Sequence, residues 1–207
     1  MIADAGHQVG CHSYMHELAT KLTPEKFREN TYRAKAALED LIGKPVELYR
    51  APAFSITEDN LFAFETLVEL GFTTDCSVFP AHRDDGGMPS YKFGEPGILE
   101  HNGMQLKEFP IHPYKLFGKR IVYSGGGYFR LFPYWMIKML TKKQDYVMSY
   151  LHPSDFDPDQ PKMNHLPAWN RWKNGVGLKG AYDKFCKYLR VFDFISVEDA
   201  DKLIDWE

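Results

Sequence analysis

The sequence predicts an α/β fold built on parallel strands, and three observations carry that expectation. Short apolar or alternating runs recur between longer segments with helical spacing. The connections between the runs are long enough for parallel crossovers. Ionisable residues also repeat in one kind of place, since His12, Arg50, Asp75 and His152 each fall at or just after the end of a predicted strand. Parallel α/β folds form their sites where the carboxyl ends of the strands meet, so these four point to a shared site.

One domain over residues 1–207 is the expectation from 207 residues that are 44% hydrophobic and 26% charged. The net charge of -3 leaves no basic footprint, which argues against nucleic acid as a partner. Cys11, Cys76 and Cys186 are widely spaced and odd in number, a pattern of core residues in a reducing compartment and not of a disulfide framework. There is no run of about 18 apolar residues, and Met1-Ile2-Ala3-Asp4 does not read as a signal peptide, so no membrane span and a cytoplasmic location are expected.

His7 to Cys11 alternates like a short strand, with Asp4 in a helix ahead of it, and leads into Gly10-Cys11-His12-Ser13-Tyr14-Met15-His16. If the chain turns helical there, His12 and His16 lie four apart on one face and can address one divalent cation. A pair of surface or core histidines is the alternative. Thr23-Pro24-Glu25 starts a helix, with Thr as N-cap, Pro at the first helical position and an acid at the positive end of the dipole. Phe27, Ala34, Leu38 and Leu41 continue it until Gly43 and Pro45. Val46 to Tyr49 reads as a strand, Glu58 to Leu70 as a helix closed by Gly71, and Phe72 to Asp75 as the next strand.

Residues 77–103 are rich in Gly, Pro and polar side chains, the signature of a lid, a binding surface or a peripheral hairpin. Leu106 to Ile111 and Arg120 to Tyr123 read as strands, the second entering Ser124-Gly125-Gly126-Gly127, where bare backbone permits close approach. Tyr134 to Leu140 is helical. Asp145 to Leu151 is the most apolar strand and delivers His152. Residues 153–173 look irregular, and their acids Asp155, Asp157 and Asp159 suit a solvated loop better than a calcium loop. Leu178 to Leu189 is a helix, Phe192 to Val197 a strand and Val197 to Ile204 a final helix.

His12-Ser13-Tyr14-Met15-His16 resembles the metal-binding histidine motif of the polysaccharide deacetylases, the NodB-homology group of carbohydrate esterase family four. Arg50-Ala51-Pro52 resembles that family's arginine-proline motif and Tyr150-Leu151-His152-Pro153 its late leucine-histidine motif. Phe72 to Pro80, Ser124 to Arg130 and Val176 to Gly180 are similar to segments of the subgroup found with surface-polysaccharide and lipopolysaccharide biosynthesis. The resemblance runs in order along nearly the whole chain. It implies a deformed (β/α) barrel in a bacterial protein.

The family's aspartate motif, which supplies a base and a third metal ligand, has no counterpart in the eleven residues before His12. The expectation is therefore a barrel missing its first strand or strands, with an open edge prone to self-association. By resemblance, His12 and His16 hold a divalent metal, zinc first, with cobalt, nickel or manganese as alternatives. Ser13 supports one imidazole or the adjoining backbone. His152 is the acid that protonates a leaving amine, Asp75 tunes it, and Arg50 positions the base. The implied activity removes N-acetyl groups from a sugar or polysaccharide in surface-glycan synthesis. A carbohydrate-binding or assembly subunit without turnover is the second reading, and a two-histidine hydrolase that recruits Asp84 or Asp85 from the long loop is the third. Tyr14, Pro52, Tyr128 and Trp169 are candidate sugar contacts. Against these roles stand plainer ones: Arg50 as a helix cap or partner of a structural acid, Asp75 as a cap of the turn after its strand, His152 as a packed loop residue.

Overall fold

The computed structural model describes residues 2–91, 94–116, 119–161 and 167–206, with the backbone alone at residues 116, 119, 169, 170 and 173. The chain folds into two compact units, Met1–His112 with Ile195–Glu207, and Pro113–Phe194.

The first unit is built on a four-stranded sheet of β1 (Leu48–Tyr49), β2 (Thr74–Asp75), β3 (Gly97–His101) and β4 (Met104–Glu108), in the order β1-β2-β4-β3. β1, β2 and β4 are parallel and β3 is antiparallel to β4. This is α/β architecture with a parallel sheet. The expected strand over His7 to Cys11 contracts to one bridge, in which the Cys11 N–H donates to the Leu48 carbonyl at 2.8 Å and the Arg50 N–H donates to the Cys11 carbonyl at 3.0 Å. Ahead of it Asp4 sits in a short 3-10 turn, Ala3–Ala5.

Helix α1 (Pro24–Ile42) starts and stops where the sequence says. Thr23 accepts from the Lys26 N–H, and Gly43 closes the helix with φ 67°, its N–H reaching the Glu39 carbonyl. Helix α2 (Phe62–Glu69) begins later than expected because Asn60 ties the preceding turn, taking the Thr57 N–H on its side-chain oxygen and donating to the Ser55 carbonyl. Phe27, Tyr49, Ile56, Phe64, Leu67 and Phe72 form the core between helices and sheet. Both residues of β2 are buried, as befits a strand with neighbours on either side. The long segment after β2 includes the hairpin of β3 and β4, turning through Asn102 (φ 48°) and Gly103 (φ 76°), so its hairpin reading holds for that part. Helix α7 (Val197–Asp201), capped by Ser196, belongs to this unit, with Lys107 and Asp201 paired at 2.6 Å.

The second unit contains β5 (Tyr114–Leu116) paired antiparallel to β6 (Lys119–Ile121), and helices α3 (Gly126–Leu131), α4 (Tyr134–Thr141), α5 (Ala168–Gly175) and α6 (Ala181–Leu189). Tyr123, Phe129, Ile137, Leu140 and Tyr188 are its core, and the hydroxyls of Tyr188 and Thr141 bond at 2.7 Å. Several expectations are corrected here. Asp145 to Leu151 is no strand; it makes a single parallel bridge, Tyr150 to Gly125, and is otherwise tied by side chains, with the Ser124 hydroxyl donating to the Met148 carbonyl and the Ser149 hydroxyl to the Ser124 carbonyl. Phe192 to Val197 is likewise no strand: residues 193–196 have no regular structure and Val197 already opens α7. The glycine run opens a helix, residues 153–173 contain a 3-10 turn (Pro153–Phe156) and the start of α5, and α6 starts only at Ala181 because Gly177 and Gly180 are left-handed. No helix among the described residues is long and apolar enough to cross a membrane.

Candidate functional site

The histidine segment is not helical. Ser13 (φ 68°) and His16 (φ 55°) are both left-handed, and this double reversal folds the chain back so that the two imidazole rings meet edge to face, centroids 5.1 Å apart. His12 Nδ1 lies 2.6 Å from the Arg50 carbonyl, whose oxygen can only accept, so Nδ1 carries the proton and Nε2 the lone pair. That is how a metal-binding imidazole is usually oriented. Asn30, on α1, holds the turn: its side-chain oxygen accepts from the Ser13 hydroxyl at 2.8 Å and the Tyr14 N–H at 2.7 Å, and its amide donates to Glu17 at 3.1 Å. Ser13 thus secures backbone through Asn30. The Tyr14 ring is already faced by the Arg33 guanidinium at 4.0 Å.

Two imidazoles this close fit as two ligands of one cation, whose bonds to nitrogen are about 2.1 Å long. A catalytic zinc takes three protein ligands, and the described residues gather no group of three His, Cys, Asp or Glu. Asp84 and Asp85, the loop acids proposed as recruits, stand exposed in the turn between Arg83 and Gly86. The pair fits as half of a site, and the chain's described donors do not complete it.

Arg50 follows β1 and donates from Nε to the Cys76 carbonyl at 3.2 Å. Pro52 is buried at the start of a 3-10 turn, so its ring is packed under the fold and not open to a sugar. Asp75, at the end of β2, is wholly buried; it accepts from the Ser77 hydroxyl at 2.6 Å and the Ser77 N–H at 3.0 Å, which is the turn-capping role. Across the parallel register from Asp75 stands Glu108, at the end of β4 and also wholly buried. Its Oε1 accepts from the Val78 N–H at 3.1 Å, while Oε2 has no N–H or O–H donor to accept from. Burial and then the neighbouring Asp75 charge hold the Glu108 carboxyl well above the usual range, and burial also raises Asp75 against the hydrogen bonds from Glu108 and Ser77. A protonated Glu108 that shares its proton with Asp75 accounts for the direction of both shifts. Sequence reasoning passed over Glu108, although it stands at a strand end like the four residues singled out.

His152 belongs to the second unit and is exposed beside the 3-10 turn that it opens. Asp155 is buried, which corrects its reading as a solvated loop acid; Asp157 and Asp159 are exposed. Tyr128 is 48% exposed with its ring 5.6 Å from that of Phe132. Trp169 lies on α5, and its side chain falls outside the described residues, as does His165. Cys11 and Cys76 are buried free thiols, raised by burial from the reactive range.

The chain is an α/β protein in which the His12–His16 pair follows the Cys11 bridge and the buried carboxyls of Asp75 and Glu108 end the parallel strands β2 and β4. Residues 1–73 match the family model described as polysaccharide deacetylase, and residues 76–202 match the one described as a domain of unknown function (DUF3473). The chain belongs to the family of that second model, the domain of unknown function, which matches more than half of it, and its first 73 residues are similar to the polysaccharide deacetylases. Over 84 residues it is 33% identical to a peptidoglycan deacetylase of Helicobacter pylori (strain ATCC 700392 / 26695), covering 41% of this chain and 27% of the relative. It superposes with a TM-score of 0.55 at 17% identity on a crystallised protein of Mycobacterium smegmatis assigned to the polysaccharide deacetylases, covering 95% of this chain and 61% of that one. The chain therefore spans about a quarter of the curated relative and less than two thirds of the solved structure.

Proposed function

We propose that this chain forms part of a hydrolase that removes acetyl groups from an N-acetylated sugar within a surface polysaccharide. The observation that carries the reading is the His12–His16 pair, set edge to face at 5.1 Å with the His12 tautomer fixed by the Arg50 carbonyl, within the segment that matches the polysaccharide deacetylase model. On this reading the pair supplies two ligands of a divalent cation, zinc first, with cobalt, nickel or manganese able to substitute. When bound, such an ion acidifies a water and polarises a carbonyl. His152 supplies the proton: as the amide C–N bond breaks, the electron pair passes to nitrogen and the imidazolium gives up its N–H to the departing amine. An imidazole, whose ordinary range lies near neutrality, suits that exchange.

The test is zinc binding by calorimetry together with acetate release from N-acetylglucosamine oligomers and peptidoglycan fragments, using this chain and the full reading frame that contains it. Zinc binding lost in His12→Ala and His16→Ala, with acetate released by the full-length protein, is the expected result. No acetate from any N-acetyl sugar overturns the reading. One observation favours a second reading, glycan binding without turnover: the described residues do not complete a three-ligand set. Glycan affinity unchanged by His152→Ala, without acetate release, would select it.

A further inference from the structure

Helix α4 turns an apolar and basic face away from the core of the second unit. Its inner side is committed: Ile137 and Leu140 are buried with Tyr123, Phe129 and Tyr188, and the Thr141 hydroxyl bonds that of Tyr188 at 2.7 Å. The Tyr134 hydroxyl donates to the Lys187 carbonyl at 3.1 Å, which ties the start of the helix to α6. These contacts fix the rotation of the helix about its axis. At 3.6 residues per turn, positions 135, 138, 139 and 142 then form the opposite side.

A surface helix ordinarily fills that side with polar groups. Here Trp135 is 66% exposed and Met139, one turn on, is 40% exposed, while Leu131, which ends α3 just ahead, is 42% exposed. Single apolar residues scattered over a surface need no explanation, but a tryptophan with two long apolar side chains inside residues 131–139 does. The charges on this side are of one sign. Lys138 stands between Trp135 and Met139, half-buried; Lys142 continues the row and Lys143 follows it, both exposed. Between Glu108 and Asp145 the sequence has no Asp or Glu, in a chain whose net charge is -3. The chain as a whole would be repelled by an anionic surface. Screening over about 10 Å leaves the nearest cations to decide the sign, so attraction is local to this face.

We propose that this face of α4 docks on a membrane surface of anionic phospholipid, lying on the bilayer and not crossing it. A tryptophan ring settles at the level of the headgroups, and Leu131 and Met139 reach the boundary of the acyl chains. The lysines lay their stems along the apolar side and set their ammonium groups on lipid phosphates. With 8 residues the helix is far too short to span. Other occupants fit less well. A sugar ring stacks on an aromatic face but gains little from Leu131 and Met139, which offer neither a ring nor a hydrogen-bond donor. A second copy related by a twofold axis would set the lysine rows against each other, like charge on like. Membrane docking and acetyl removal are separable, and neither needs the other.

The test is flotation of the whole chain with vesicles of phosphatidylglycerol and phosphatidylcholine in equal parts, against vesicles of phosphatidylcholine alone, at low salt. Binding to the anionic vesicles only is expected. Lys142→Gln with Lys143→Gln should weaken it by about 30-fold, since each cation near such a surface contributes about fivefold. Trp135→Ser with Met139→Ser should weaken it by about tenfold. All four positions are exposed, and each variant is checked for folding by its melt. Placement is read separately: vesicles with brominated acyl chains should quench the tryptophan fluorescence of the parent, and Trp135→Phe should still bind yet lose that quenching. No binding of the parent to anionic vesicles, undiminished binding by either folded double variant, or quenching that persists in Trp135→Phe overturns the proposal. Retention by soluble alginate without vesicle binding, or a dimer in sedimentation velocity that is lost in Trp135→Ser without vesicle binding, assigns the face to another occupant and overturns it as well.

Discussion

Replacing Glu108 by glutamine should flatten the dependence of stability on pH. In the folded protein the Glu108 carboxyl is held protonated above its ordinary range, first by burial and then by the Asp75 charge. Between the ordinary carboxylate value and that raised value, the native state binds one proton more than the unfolded chain. Stability is then complete below the unfolded pKa and is lost as pH rises toward the folded one, at about 1.4 kcal/mol per pH unit. Asp75 is shifted in the same direction, so its contribution has the same sign. For a chain of this size 1.4 kcal/mol corresponds to about 3–6 °C in Tm. The amide introduced by Glu108→Gln keeps an N–H donor beside Asp75 but has no proton to lose. Urea or thermal melts of both proteins from pH 5 to 8 give the answer, since groups unaffected by the substitution cancel in the difference. The difference between Glu108→Gln and the parent should grow as pH rises. Parallel curves would mean that Glu108 ionises as an ordinary acid, and the proton-sharing account of the pair would fail.

Asn30→Ala removes the acceptor of the Ser13 hydroxyl and the Tyr14 N–H, two bonds of about 1 kcal/mol each before solvent compensates; a loss of about 1–2 kcal/mol in denaturant melts and about tenfold weaker zinc binding are expected. Gly125→Ala meets the Tyr150 carbonyl at 2.2 Å and should cost about 1–3 kcal/mol in the same assay. Phe129→Ala, at a fully buried site between Phe185 and Tyr188, should cost about 3–5 kcal/mol. Arg33→Ala uncovers the Tyr14 ring; if that face is a sugar platform, glycan affinity measured by calorimetry rises, and unchanged affinity removes Tyr14 from the candidate contacts.

The legible parts of the fold were those set by local chemistry. Thr23-Pro24 and Gly43 delimit α1 because caps act within a turn of the residues that carry them. The strand ends at Arg50 and Asp75 were legible for the same reason: each apolar run is short and stops at a charge. What failed was pairing. Asp145 to Leu151 has the composition of a strand, yet Ser124 and Ser149 divert its polar groups to side-chain partners, and no periodicity reports where a distant hydroxyl will land. The same blindness hid Asp155, whose burial depends on Arg130 arriving from α3, and Glu108, whose neighbour across the sheet is fixed by register.

The His12–His16 pair was legible as a spacing and misread as a helix, and the reason lies in backbone strain. Of the described non-glycine residues, Ser13, His16, Ala53, Phe54 and Asn102 have positive φ, and all but Asn102 fall in the histidine segment or directly after the arginine-proline motif, in the turn that continues it. Each left-handed residue costs about 1–2 kcal/mol relative to a relaxed turn, so both segments persist only because other parts of the fold hold them. For the first the holder is Asn30; for the second it is the glycine pair after Asp85, where the Gly87 N–H donates to the Phe54 carbonyl at 2.9 Å and a Cβ on Gly86 would stand 2.2 Å from that oxygen. The two segments meet through the Arg50 carbonyl that fixes the His12 tautomer. Strain kept at a pair of imidazoles, and offset by contacts from α1 and from the segment after β2, is the pattern of a pre-formed site.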